Sequence, residues 1–142
     1  MDTTCRSVYI ETTIPSYATA KASKDLITAH RQAVTRFFWE NDKQKFNLYT
    51  SQFTIDECSR GDKEAARRRI DLIKDITVIP ESNKIAELAE IYFSFLEIPE
   101  RAKTDCFHLA VCVDTKIDYL LSWNCVHLGI QTFVRIQKYN ES

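Results

Sequence analysis

Glycine and proline are nearly missing, with two and three copies in 142 residues. That scarcity excludes a low-complexity or collagen-like chain and leaves disorder expected only at the two ends. No run of eighteen apolar residues occurs, so no membrane-spanning helix is expected. The opening MDTTCRSVYIETT has neither the basic region nor the apolar stretch of a signal peptide, which places the chain in the cytoplasm as an expectation. No CxxC pair exists among the five cysteines, Cys5, Cys58, Cys106, Cys112 and Cys125. An odd, scattered set points to reduced packing thiols rather than disulfides or a zinc ribbon. Charge excess is absent too. At a formal net charge of -1, nothing in the overall field attracts nucleic acid, so any such binding needs a local basic patch.

What is present is an ordinary globular composition, 44% hydrophobic and 27% charged, at a length that fits one domain over residues 1–142. Strand-like runs alternate with longer helical ones, the pattern of an α/β sheet with crossover helices. SVYIE (7–11), FNLYT (46–50), ITVIP (76–80) and DYLLSW (118–123) read as four strands, almost all parallel. IPSY after the first reads as a loop. A helix is expected from a cap at Ser23 to about Asn41, carried by Leu26, Ala29, Ala33, Val34, Phe37 and Phe38. Ser51 caps a short helix that Gly61 stops, and Asp62 starts another. A helix from Ser82 to about Leu96 turns Ile85, Leu88, Ala89, Tyr92 and Phe95 inward. Thr104 caps DCFHLAVCVDTK, and a last helix runs from about Val126 to Tyr139.

Ligands of open parallel sheets bind outside the carboxyl ends of the strands. Glu11 follows the first strand, Asp56 and Glu57 lie in the helix after the second, Asp105 opens the helix before the fourth, and Asn124 ends that strand. Such oxygen donors suit Mg²⁺ or Mn²⁺ far better than zinc, and a divalent cation offsets the repulsion of gathered acids. Hydrolysis of a nucleic-acid backbone is the matching reaction class. Acids at helix starts are also ordinary caps, so the spacing alone leaves both readings open. Asp56 and Glu57 point about 100° apart on a helix, so only one of them faces the crevice. The first strand end, IETT, offers a single acid and no DxD, which counts against a phosphatase on a similar sheet.

VYIETTIPSY, SQFTIDECSRGDKEAARRR, AKTDCFHLAV and IDYLLSWNCVH, in order from about residue 8 to 128, together resemble the PIN domain family, most closely VapC-like toxins of type II toxin-antitoxin modules. The resemblance implies a three-layer α/β/α sandwich on a central parallel sheet of four strands. It also implies Mg²⁺- or Mn²⁺-dependent endoribonuclease activity and inhibition by a small antitoxin protein. It assigns the metal ligands to Glu11, Glu57 and Asp105, with Asn124 at the family's fourth, often acidic, position. Thr12 matches a small hydroxyl residue that helps hold metal-bound water. Two departures matter: many relatives have Asp in place of Glu11, and Asn124 carries no charge. A third is that relatives add a short fifth edge strand, which the ending IQKYNES leaves out. An open edge invites pairing with a second copy, so a homodimer is expected.

RGDKEAARRR (60–69) holds five basic and two acidic residues. It offers Arg60, Lys63, Arg67 and Arg68 to RNA phosphates, unless it is a solvated face with Glu64 paired to Arg67 or Arg68. Lys21 and Lys24 are further candidates. His108, one turn past Asp105, either reaches the crevice or is hydrogen-bonded locally on a buried helix. Trp123 is read as packing under the site rather than stacking on a base. Cys125 and His127 lack the two further ligands a zinc site needs; His127 orients the Asn124 loop or touches substrate. The expected function is a metal-dependent ribonuclease, the toxin of a toxin-antitoxin pair. The alternative is a degenerate PIN module that binds RNA or a protein partner.

Overall fold

Val8, Tyr9 and Ile10 are all fully buried and face alternately into two cores, and this central strand organises the molecule. In the computed structural model, which describes residues 5–124 and 134–135, β1 (Ser7–Ile10) pairs in parallel with β2 (Asn47–Ser51) and β4 (Tyr119–Leu121). β3 (Thr77–Ile79) pairs in parallel with β2. A short β5 (Val134–Arg135) runs antiparallel to β4, which completes the order β3-β2-β1-β4-β5. The four parallel strands are flanked by six helices in an α/β/α sandwich. A strand covered on both faces reads as a continuous apolar run, as VYI does.

One core lies under α5 (Asn83–Leu96) and α6 (Lys103–Asp114), where Tyr9 and Leu120 meet Ile85, Ala89, Cys106 and Ala110. The other lies under α1 (Thr13–Thr19), α3 (Gln52–Cys58) and α4 (Lys63–Ile73), where Val8, Ile10 and Leu121 meet Ile14, Cys58 and Ile73. Ser51, Asp62 and Ser82 cap α3, α4 and α5 as expected, accepting from Thr54, Ala65 and Ile85 N–H. Gly61 ends α3's turn at φ +83°, a conformation that suits glycine. No disulfide joins Cys5, Cys58, Cys106 or Cys112 among the described residues, and burial pushes the Cys58 thiol up to about 12. Cys125 and His127 lie outside the described residues.

The structure corrects several expectations. IPSY is not a loop: α1 takes it up, with Pro15 third in the helix, where its missing N–H breaks no helical bond. The next helix, α2 (Leu26–Phe37), is capped by Asp25, whose carboxylate accepts from Thr28 N–H; Ser23 Oγ accepts from Asp25 N–H instead. α6 begins at Lys103, so Thr104 lies inside it rather than capping it. The fifth strand, expected to be missing, is there. Val134 and Arg135 belong to β5 and not to a helix, in keeping with the β-branched and aromatic run TFVRI and with the bonding capacity of an uncovered β4 edge. The rest of the helix expected over 126–139 lies outside the described residues. With β5 on that edge, the open-edge argument for a dimer loses its basis.

On α2 the apolar pattern and the buried side part company: Leu26 (85% exposed), Ile27 (66%) and Phe37 (61%) face outward, while Gln32 and Thr35 are buried. Gln32 and Arg36 face the end of α1 and the loop after it, where Gln32 Nε2 donates to Lys21 O and Arg36 donates to Ala18 O and Ala20 O. Periodicity locates this helix but not the side it buries. On α5, Phe95 also faces out, at 83% exposed, and so does not pack inward as expected.

Candidate active site

Parallel strands end on the same side, so the segments leaving β1, β2 and β4 meet at one edge of the sheet, and the start of α6 joins them. Glu11, directly after β1, is 4% exposed. Its Oε1 accepts three hydrogen bonds, from Thr13 N–H (2.8 Å), Thr13 Oγ1 (2.5 Å) and Ser122 Oγ (2.9 Å). Ser122 Oγ in turn accepts from Asn124 N–H at 3.0 Å, and Thr13 Oγ1 accepts from Trp123 N–H at 2.9 Å. The ends of β1 and β4 are thereby cross-linked. The longer side chain of Glu11, relative to aspartate, is folded back onto the first turn of α1.

Glu57 is held in the same manner. Its Oε1 accepts from Thr12 Oγ1 at 2.6 Å and pairs with His108 Nε2 at 2.8 Å. Burial alone would raise its pKa, but the His108 hydrogen bond and charge, Thr12, and the positive charge of Arg60 together hold it below the ordinary carboxylate value. Its neighbour Asp56 is exposed and bonded to Gln52 Nε2, so the helix turns Glu57 inward. Neither Glu11 nor Glu57 has a described partner at Oε2, and no buried side-chain oxygen lacks a partner among the described residues. Each glutamate is anchored through Oε1, while its Oε2 has no partner among the described residues.

Asp105, third in α6, is 5% exposed, and one turn later His108 is 1% exposed. Desolvation lowers the His108 pKa, yet its bond to Glu57 and the charges of Glu11, Glu57 and Asp105 outweigh this and leave it raised. All three acids thus act on one imidazole. Asn124 is exposed; its N–H is tied to Ser122, and its amide has no partner among the described residues. Among those residues, no three of His, Cys, Asp and Glu are gathered closely enough to enclose a metal ion. The set nevertheless fits Mg²⁺, which is commonly held by one or two carboxylates while water and phosphate complete its shell.

Neither a protein-family model nor a curated protein matches the chain. A solved structure does: the Mycobacterium tuberculosis toxin VapC20, described as cleaving the sarcin-ricin loop, superposes with a TM-score of 0.67 over 91% of this chain and 99% of that one, at 15% identity. The fold is a VapC-like PIN fold. At that identity the likeness carries the fold and no residue roles.

On this PIN fold the expected site residues fall as follows. Thr12 and His108 both bond to Glu57, Glu11 is bonded to Thr13 and Ser122 at the ends of β1 and β4, and Asp105 lies one turn before His108 in α6, with Asn124 exposed after β4. Thr12 gives its hydroxyl hydrogen to Glu57. Of the basic residues, Arg67 is paired with Glu64, while Arg69 clamps the end of α3 through Cys58 O (3.1 Å) and Arg60 O (2.6 Å). Along the segment that follows Glu57, Arg60 and Lys63 are exposed and Arg68 is half-buried. Lys21 and Lys24 are exposed on the α1–α2 loop. Trp123 packs beneath the rim as expected: its indole N–H donates to Thr35 Oγ1 at 2.8 Å, Tyr17 meets it edge-on, and Arg31 covers a face.

Sequence reasoning misses Thr13, Ser122 and Tyr9. Thr13 sits two residues after an acid, where a hydroxyl and N–H readily close a local turn, so ETT holds a usable signal. Ser122 and Tyr9 look like ordinary strand residues, and nothing local sets them apart.

Proposed function

We propose that the chain is a metal-dependent endoribonuclease that hydrolyses RNA phosphodiester bonds, the toxin of a type II toxin-antitoxin module. The observation that carries this reading is the pair of glutamates at the carboxyl edge of a PIN-type sheet, each anchored through Oε1 with Oε2 unpartnered among the described residues, and buried Asp105 one turn from the His108 that bonds to Glu57. Glu11, Glu57 and Asp105 would hold Mg²⁺ or Mn²⁺. Bound there, the ion supplies a more acidic water and offsets the charge that builds on the phosphate. The chain's own residues do the rest. Thr12 and Thr13 fix the carboxylates, Asn124 offers an uncharged amide to the scissile phosphate, and Arg60, Lys63 and Arg68, with Lys21 and Lys24, draw in the RNA backbone, while Arg67 joins them only by exchanging its pair with Glu64 for a phosphate.

The description of VapC20 as a toxin that cleaves the sarcin-ricin loop supports RNA as the substrate class. A small antitoxin protein is the expected partner, and the outward apolar face of α2 supports a protein partner of some kind. A homodimer is the second expected association, for which exposed Ile91 and Phe95 on α5 are the supporting feature. No helix among the described residues is long and apolar enough to cross a membrane. The cytoplasm is the proposed place of action, with residues 1–142 acting as one domain. The degenerate binding module stays as a second reading because no three acids among the described residues close on a common point and Asn124 is neutral. Incubating RNA with the protein in Mn²⁺, and again with a chelator, tests the proposal: cleavage in the first alone is expected, and binding without cleavage in both favours the second reading.

A further inference from the structure

Behind Glu57 lies a row of buried polar groups for which the proposed reaction has no use. Tyr9 is fully buried in the central strand, and its hydroxyl lies 2.6 Å from His108 Nδ1 and 2.6 Å from Ser51 Oγ, with Thr54 Oγ1 at 3.2 Å. Such a cluster inside an otherwise apolar core is costly unless every member is satisfied, and here every member is. The row is continuous whichever way its protons run. With a neutral imidazole, Nε2–H donates to Glu57 and Nδ1 accepts from Tyr9, whose oxygen accepts from Ser51. With a charged imidazole, both ring N–H groups donate, and Tyr9 passes its hydrogen to Ser51 or Thr54.

We infer that Tyr9 and His108 are positioning residues: a buried Ser51–Tyr9–His108 row fixes Glu57 Oε1 from behind, so that Oε2 is held toward a divalent cation. The inference rests on the metal-site reading above. Its distinctive claim is that Tyr9, which does not touch Glu57, governs the affinity of the site through His108. Partners of ligating groups set the orientation of the ligand, and losing them typically weakens metal binding about 10–100-fold.

The test is Mn²⁺ binding, followed by the electron paramagnetic resonance signal of free Mn²⁺, with the metal-free unfolding midpoint measured alongside. Wild type, Glu57→Gln, His108→Ala, His108→Gln, Tyr9→Phe and the double variant Tyr9→Phe/His108→Gln are compared. Expected are a loss of about 10–100-fold for His108→Ala, partial recovery in His108→Gln, whose amide still donates to Glu57, and a several-fold loss for Tyr9→Phe. In the His108→Gln background, Tyr9→Phe should add nothing, because the row is already cut. If Glu57→Gln weakens binding but Tyr9→Phe and His108→Ala lower only the unfolding midpoint, the row is merely structural and this inference is overturned while the metal site stands. If wild type binds Mn²⁺ no better than Glu57→Gln, the metal site and the inference fall together.

Discussion

Ser122 Oγ donates to Glu11 Oε1 at 2.9 Å across 111 residues of sequence, and the same oxygen accepts Asn124 N–H at 3.0 Å. One hydroxyl therefore sets both the first acid and the rim residue of the candidate site. Ser122→Ala removes a hydrogen bond to a charged group, for which about 1.5–3 kcal/mol of stability is expected to be lost. Urea unfolding with and without Mn²⁺ measures it, and the loss should be larger with the ion, because a loosened Glu11 also binds metal less well.

Arg69 and Arg68 are neighbours with opposite expected roles. Arg69→Ala frees two carbonyls at the end of α3 and should cost about 1–2 kcal/mol in unfolding. Arg68→Ala should leave stability nearly unchanged, weaken RNA binding at every sequence, and reduce the salt dependence by about one counterion. Binding titrations across a salt series, paired with unfolding curves, separate the two.

The Glu57–His108 pair predicts a pH window for the metal-free protein. His108 is raised above its ordinary 6.5, so its contribution is full below that value and is lost as pH rises through the folded pKa. Glu57 is lowered from its ordinary 4.5, so its contribution is present above that value and is lost as pH falls through the folded pKa. The stability difference between wild type and Glu57→Gln should therefore be greatest between about pH 4.5 and 6.5 and shrink on either side. Unfolding midpoints in chelator across this range check it.

Much of the fold and of the candidate site is legible in the sequence. The four parallel strands follow from short β-branched and aromatic runs, and the choice of Glu11, Glu57 and Asp105 as candidates follows from the rule that such sheets bind at their carboxyl edge. Helical geometry requires a choice between Asp56 and Glu57, and the structure turns Glu57 inward. What stays hidden depends on contacts distant in sequence. No local pattern marks Ser122 as the anchor of Glu11, or Tyr9 as the partner of His108, 99 residues away. Nor does periodicity say which face of α2 is covered, since Gln32 and Arg36 are recruited by carbonyls at the end of α1 and in the loop after it rather than by the core. The two residues of β5 read as helix because the bonding needs of a neighbouring edge are invisible in a one-dimensional pattern.

Trp123 supplies an internal control. Thr35→Val removes the acceptor of its indole N–H and should cost about 1–3 kcal/mol while shifting tryptophan emission. Because Trp123 packs beneath the rim, RNA cleavage by the folded variant should stay within about twofold of wild type, an energy difference well below about 1.4 kcal/mol.

The most direct test is cleavage of RNA in Mn²⁺ by wild type and by Asp105→Asn, a change that keeps the shape of the side chain and removes its charge. Metal-dependent cleavage by wild type and a loss of at least a hundredfold in the variant are expected. Equal cleavage by both proteins would contradict the metal-site reading.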